Sequence, residues 1–240
     1  MRTVEFYPML KGAPLLYRQA QPDALPTRLL VLLHGVGGDE TNLISLGTAI
    51  SNDTLVVWPR GPLAIGPTQF AWFPVRFEPT GPEIDFVQAQ RSTLLLLELL
   101  KHLQTRHAIS PSRTVIAGFS QGGIMSANVA LTTPTRVAGF GVLCGRILPQ
   151  IEPGLSTSPH LQALDALVIH GSHDTRLPPK WAERADALLS RLNVPHVTHY
   201  FPAGHEISPA MAHHFLSWFE HAEARWNTDP CGPCVPSLGA

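Results

Sequence analysis

The chain has 240 residues, of which 44% are hydrophobic and only 15% charged, and its 17 Lys and Arg against 18 Asp and Glu leave a net charge of −1. That length suits one large core, and the balance offers no basic face for nucleic acid or for an anionic membrane surface. The richest apolar run, Leu94 to Leu97, is closed by Glu98 and Lys101, far short of the roughly 20 residues that span a bilayer, so no stable membrane insertion is expected.

The opening MRTVEFYPMLKGAPLLYRQA is interrupted by Glu5, Pro8, Lys11 and Pro14, which argues against a signal peptide and for a soluble, cytoplasmic protein. In chain order, short apolar runs then occur at TVEFY (3–7), PLLYRQ (14–19), RLLVLLH (28–34) and TLVVWP (54–59). A Pro/Gly-rich stretch without periodicity covers 60–79. Thr80 and Glu83 have the spacing of a capping box and Pro82 suits a first turn, which predicts a helix from there through Ile84, Val87, Leu94, Leu95 and Leu99 to about Leu103.

RTVIAGF (113–119) reads as a strand, 121–132 as a helix and RVAGFGVLC (136–144) as another strand. A second aperiodic stretch at 145–162 follows. ALVIHG (166–171) and HVTHYF (196–201) are strands, each followed by a helix, at 179–192 and at 208–224, the latter with Met211, Phe215, Trp218 and Phe219 on one side. Alternating strands and helices predict an α/β fold with a mostly parallel central sheet of about eight strands and helices on both faces. The continuous apolar runs mark strands buried on both sides. Residues 1–226 read as one domain, and 227–240 as a flexible Pro/Gly/Cys-containing tail. The two aperiodic stretches each follow a strand and are candidate walls of a substrate cleft.

GFSQGG, residues 118–123, places a serine between glycines at the end of an apolar strand. A strand that turns sharply into a helix with a nucleophile at its apex strains the backbone there and leaves no space for side chains two positions away, so Gly118 and Gly122 suit the turn. Ser120 would project from the top of the sheet, with the amide of Gln121 facing the same space. The G-x-S-x-G string alone is weak, and an ordinary glycine turn is the alternative. The strand before it and the helix after it strengthen the nucleophile reading.

A serine hydroxyl needs a base to take its proton, and the base needs a carboxylate to orient it. ALVIHGSHDT puts Asp174 in the loop after one later strand, and HYFPAGHEI puts His205 after the next. Among the 12 histidines, His34 and His170 close strands and suit local hydrogen bonds. His173 precedes the acid, and His213 and His214 fall within a helix. Asp165 and Asp186 lie before a strand and inside a helix. HGVGGDE (34–40) supplies a glycine-rich turn after a strand, where the Val36 amide would join that of Gln121 in holding an oxyanion.

No phosphate-binding G-x-x-x-x-G-K-[ST] or G-x-G-x-x-G is present, and no H-E-x-x-H or Cys/His ligand spacing, so neither a nucleotide nor a metal is expected. Cys144 reads as a small core residue. Cys231 and Cys234 form CGPC, but without the helix N-terminus that lowers a thiol pKa they suggest a local disulfide or a reactive tail rather than a redox site.

LLHGVGGDE, AWF at 71–73, GFSQGG, HGSHD and AGHEI, in this order over residues 32–207, resemble the carboxylesterase, phospholipase and acyl-protein thioesterase group of α/β-hydrolases. The resemblance implies a Ser120, His205 and Asp174 triad, oxyanion donors at Val36 and Gln121, and no cofactor. It also implies that Trp72 lines the cleft and that Leu177 lies near the acyl group. After AWF the chain reads PVRFEPTG, where better-known thioesterase members have an acidic residue. The predicted walls carry Trp72, Phe73, Val75, Phe77 and Ile147 with only scattered charges such as Arg76. Esters or thioesters with small to medium uncharged acyl groups, from small-molecule or lipid-like substrates, are therefore expected. A non-catalytic binding protein and an acyltransferase using the same acyl-enzyme are the alternatives. Exposed residues around the cleft could serve as a homodimer face.

Overall fold

The computed structural model describes residues 9–20, 22, 25–51, 53–78 and 81–226. In chain order the elements are β1 (Tyr17–Ala20), β2 (Arg28–Leu33), α1 (Ile44–Gly47), β3 (Thr54–Pro59), β4 (Leu63–Gly66), β5 (Gln69–Ala71), β6 (Val75–Glu78), β7 (Gly81–Ile84), α2 (Phe86–His107), β8 (Thr114–Phe119), α3 (Gln121–Thr132), β9 (Gly139–Leu143), α4 (Pro159–Gln162), β10 (Asp165–Gly171), α5 (Lys180–Arg191), β11 (His196–Phe201) and α6 (Pro209–Trp226). Among the described residues, seven of the strands form the central sheet in the order β1-β3-β2-β8-β9-β10-β11. All neighbours are parallel except β1, which runs antiparallel to β3.

The continuous apolar runs have their cause in two separate cores. Leu29, Val31 and Leu33 of β2 face a layer that includes Leu96, Leu99 and Leu103 of α2, Ile124 of α3 and Leu188 of α5. Leu30 and Leu32 face the opposite layer, with Met211, Phe215, Trp218 and Phe219 of α6 and Leu46 of α1. Each large apolar side chain sealed in these layers contributes about 1.5–3 kcal/mol relative to exposure. Because both faces are covered, the successive positions from Leu29 to Leu33 are all apolar.

Two expectations are corrected. The described residues put seven strands in the central sheet, against the about eight expected, and the run at 3–7 lies outside them, as does the tail at 227–240. The stretch 60–79, read as aperiodic, contributes to two small antiparallel hairpins, β4–β5 and β6–β7. The long helix does not begin near Pro82: Gly81–Ile84 pairs with β6, and α2 starts at Phe86 with the Asp85 side chain accepting the Gln88 N–H at 2.9 Å. Cross-strand pairing of Val75 with Ile84 overrides the local capping signal, and Thr80 lies outside the described residues. Among the described residues no helix is long and apolar enough to cross a membrane.

Candidate active site

The strands β8, β10 and β11 all run the same way, so the loops at their carboxyl ends meet at one edge of the sheet. Ser120 directly follows β8 with φ 53° and ψ −114°, a combination that non-glycine residues rarely adopt and that only a tightly built turn sustains. The turn is built by glycine: a Cβ at Gly122 would stand 2.6 Å from the Leu33 carbonyl carbon and 2.7 Å from the His34 oxygen, and one at Gly118 would stand 2.6 Å from the Gly122 oxygen. α3 can therefore start immediately after the serine and press against β2.

The hydroxyl of Ser120, a residue only 8% exposed, lies 2.8 Å from His205 Nε2. His205 Nδ1 lies 2.7 Å from Asp174 Oδ2. An ionised carboxylate only accepts, so the Nδ1 proton points at Asp174 and Nε2 is left to accept from the serine. The other oxygen of Asp174 accepts the N–H groups of Arg176 and Leu177 at 2.9 and 2.8 Å. The two loops are tied together by Ser172 N–H to the Phe201 carbonyl and His173 N–H to the Ala203 carbonyl, at 2.7 and 3.0 Å. The Phe119 ring packs beside the imidazole at 5.0 Å between centroids.

Gln121 is the first residue of α3, so its N–H has no partner within the helix. Val36 and Gln121 line the same space as Ser120 and His205. The 34–40 turn that carries Val36 is held from several sides. Gly37 N–H and the Gly38 carbonyl pair with Phe70 of β5, each at 2.9 Å. His34 donates from Nδ1 to the Gly35 carbonyl and accepts the Gly61 N–H at Nε2, and burial lowers its pKa first among several influences. Glu40, whose side chain is 1% exposed, accepts Arg60 at 2.7 and 2.8 Å and Arg18 at 3.1 Å. Burial alone would raise its carboxyl, but hydrogen bonds from Arg60 and Arg18 outweigh that and hold it below the usual range.

Trp72, expected along the cleft, is fully buried instead, with its indole N–H donated to the His34 carbonyl at 3.0 Å. A role for the Gln121 side chain was not visible in the sequence: its oxygen accepts the Trp72 N–H and its amide donates to the Phe73 carbonyl, both at 2.7 Å. Nothing in the spacing of residues 72 and 121 marks such a pair. Ile147 is buried in the core rather than in the wall, and the Phe77 side chain lies outside the described ones.

Phe73, Val75, Ile84, Ile124 and Leu177 line a cavity of about 90 Å³ beside Ser120. Its charge is not scattered: Arg146 and Arg176 both line it, and the aperiodic sequence around Arg146 gave no sign of where that residue would point. A wider groove of about 640 Å³ shares Val36 and His205 with the cavity and extends over Leu46, Ile207, Ala212 and Leu216.

The rival residues are placed elsewhere. His170 Nε2 donates to the Leu177 carbonyl at 2.7 Å and sits 3.4 Å from Asp174 Oδ2, beneath the acid. His214 packs on His199, with centroids 3.9 Å apart. Asp186 faces His196 at 3.3 Å. Asp165 is buried at the start of β10, and Cys144 is buried with its thiol 3.3 Å from the Glu206 carbonyl. Among the described residues no group of three His, Cys, Asp or Glu side chains could hold a metal ion.

Residues 19–220 match the model of the phospholipase/carboxylesterase family. The chain is 24% identical over 193 residues to acyl-protein thioesterase 1 of Emericella nidulans, covering 72% of this chain and 80% of the relative. It is 25% identical over 197 residues to the putative hydrolase MhqD of Bacillus subtilis, covering 81% and 93%. Among solved structures, a carboxylesterase from Mesorhizobium loti superposes with a TM-score of 0.77 at 24% identity, over 89% of this chain and 98% of that one. Esterase PE8 superposes with a TM-score of 0.75 at 25% identity, over 85% and 96%. By the match over most of its length and the fold it shares with these esterases, the chain belongs to the phospholipase/carboxylesterase family of α/β-hydrolases.

Proposed function

We propose that the protein is a cytoplasmic serine hydrolase that cleaves carboxylic esters or thioesters through an acyl-enzyme. The observation that carries this reading is the unbroken hydrogen-bonded chain from Ser120 Oγ through His205 to Asp174, opening on a cavity lined by apolar side chains and two arginines. Ser120 attacks the carbonyl carbon as His205 Nε2 takes its proton, and Asp174 stabilises the imidazolium without accepting that proton. The carbonyl oxygen, now charged, is held by the N–H groups of Val36 and Gln121, each such donor lowering the barrier by about 3–4 kcal/mol. His205 protonates the departing alcohol or thiol, then removes a proton from water, which attacks the acyl-enzyme and releases the acid.

The two spaces around His205 divide the substrate. The acyl group enters the cavity of about 90 Å³, room for about three water volumes and hence for a short chain. The leaving group, which must lie beside Nε2, takes the wider groove.

Reaction with a fluorophosphonate probe, followed by peptide mapping, tests the reading. Labelling confined to Ser120, with ester hydrolysis lost in Ser120→Ala, is expected. A well-folded protein that neither reacts nor hydrolyses short esters would favour a non-catalytic binding role.

A further inference from the structure

Arg146 is a buried cation. Arg146 lies in the loop after β9, where the preceding Gly145 packs against the Ser120 carbonyl, close enough for an added Cβ to stand 3.0 Å from it. The residue is only 6% exposed and lines the cavity beside the serine. Among the described residues it forms no ion pair, and its Nε is buried without a hydrogen-bond partner.

Two carboxylates of the segments that follow β9 and β10 are engaged elsewhere. Glu152 binds Arg184 and Arg191 at 3.0 and 3.4 Å. Asp174 spends its oxygens on His205 and on two backbone N–H groups. The Trp181 ring lies 4.4 Å from the Arg146 guanidinium carbon. Stacking of this kind engages the flat face of the group and leaves its edge, where the N–H donors point, without acceptors. Burial, with Arg184 nearby, pushes its pKa down, yet a guanidinium stays charged at neutral pH.

A buried cation with free donors and no counter-ion is costly to keep unless a ligand supplies the anion. We propose that Arg146, assisted at the cavity mouth by Arg176, binds a carboxylate at the far end of the substrate's acyl group, so that the preferred substrates are monoesters of short dicarboxylic acids. A carboxylate fits the guanidinium edge with two parallel hydrogen bonds. The apolar walls of Val75, Ile124 and Leu177 would take the few methylene groups between that carboxylate and the ester carbonyl at Ser120. This assignment rests on the serine-hydrolase reading and replaces the uncharged acyl group expected from the sequence. Overall, ester and water give dicarboxylate, alcohol and a proton.

The test compares monomethyl succinate and monomethyl glutarate with methyl butyrate and methyl valerate, following methanol release by wild type, Arg146→Met and Arg146→Lys. Wild type is expected to favour the anionic esters in kcat/KM. In Arg146→Met the anionic-to-neutral ratio should fall on the order of 30-fold, the loss of a charge-assisted hydrogen-bonded pair, and Arg146→Lys should recover part of it. An unchanged ratio, or a wild-type preference for the neutral esters, overturns the proposal and leaves the hydrolase intact.

Calorimetric titration with glutarate provides a readout independent of turnover. Binding to Ser120→Ala that disappears in Ser120→Ala/Arg146→Met supports the anion site even if no ester is hydrolysed, an outcome that would sink the hydrolase reading alone. Absence of glutarate binding to Ser120→Ala, together with no preference for anionic esters, removes the anion site.

Discussion

The side-chain oxygen of Gln121 accepts the backbone N–H of Trp72 at 2.7 Å, joining the residue after the serine to a segment 49 positions earlier in the chain. The same amide donates to the Phe73 carbonyl. Phe73 lines the cavity, and Trp72 holds the His34 carbonyl next to the turn that bears Val36. One side chain thus fixes the distance between the serine turn and the opposite wall.

Gln121→Ala leaves a buried N–H and a buried carbonyl without partners, and should lower the unfolding free energy by about 2–5 kcal/mol. Urea denaturation measures this. Because the wall and the serine turn lose their common tie, kcat/KM for short esters should also fall, on the order of 10-fold to 100-fold. Stability unchanged from wild type would mean that the segment is held by other contacts.

Asp174→Asn keeps the shape of the acid but can donate to His205 Nδ1, which favours the tautomer with its proton on Nε2, facing Ser120. Turnover should drop on the order of 10⁴-fold. Circular dichroism and thermal unfolding should show that the fold persists. A variant within tenfold of wild-type turnover would show that His205 does not depend on Asp174 for its orientation.

Glu40 predicts a pH dependence. Its carboxyl is depressed in the folded protein, so its contribution to stability is present above the unfolded value of about 4.3 and is lost as pH falls through the folded value. Glu40→Gln should therefore be less stable than wild type at pH 7, and the gap should close as the pH is lowered below about 4. Urea midpoints at several pH values report it; a gap that stays constant would assign the effect to packing rather than charge.

Cys144 carries the opposite sign. Burial pushes its thiol up to about 11, so its contribution is intact below the unfolded value of about 8.5 and is lost as pH rises toward the folded one. Iodoacetamide at pH 8 should leave Cys144 unmodified in the native protein and modify it after denaturation. Cys144→Ala should flatten the alkaline limb of the stability curve.

Much of this arrangement was legible because it follows from local rules. Buried parallel strands write continuous apolar runs, as in RLLVLL and ALVIHG, and the turn at Ser120 needs glycine on both sides. Ser120, Asp174 and His205 follow β8, β10 and β11 in that order, and those parallel strands end at the same side of the sheet. What stayed hidden depends on contacts between distant segments. The capping pattern at Thr80 and Glu83 puts the start of α2 too early because the pairing of β6 with β7 outweighs it. Trp72 was expected in the cleft because an aromatic beside a loop looks the same whether it lines a pocket or seals the layer beneath it. Arg146 carried no periodic signal, and its isolation from carboxylates is a property of the packed loops alone.

The sheet order also sets how the molecule would lose activity on heating. Ser120 stands at the end of β8, in the middle of the sheet, whereas His205 follows β11 at its margin. Val197 and Tyr200 of that strand remain exposed to solvent. Opening of a marginal strand requires far less free energy than melting of the centre. Inactivation should therefore precede global melting and reverse on cooling, since re-docking of β11 against an intact β10 returns the base to a serine whose turn never came apart.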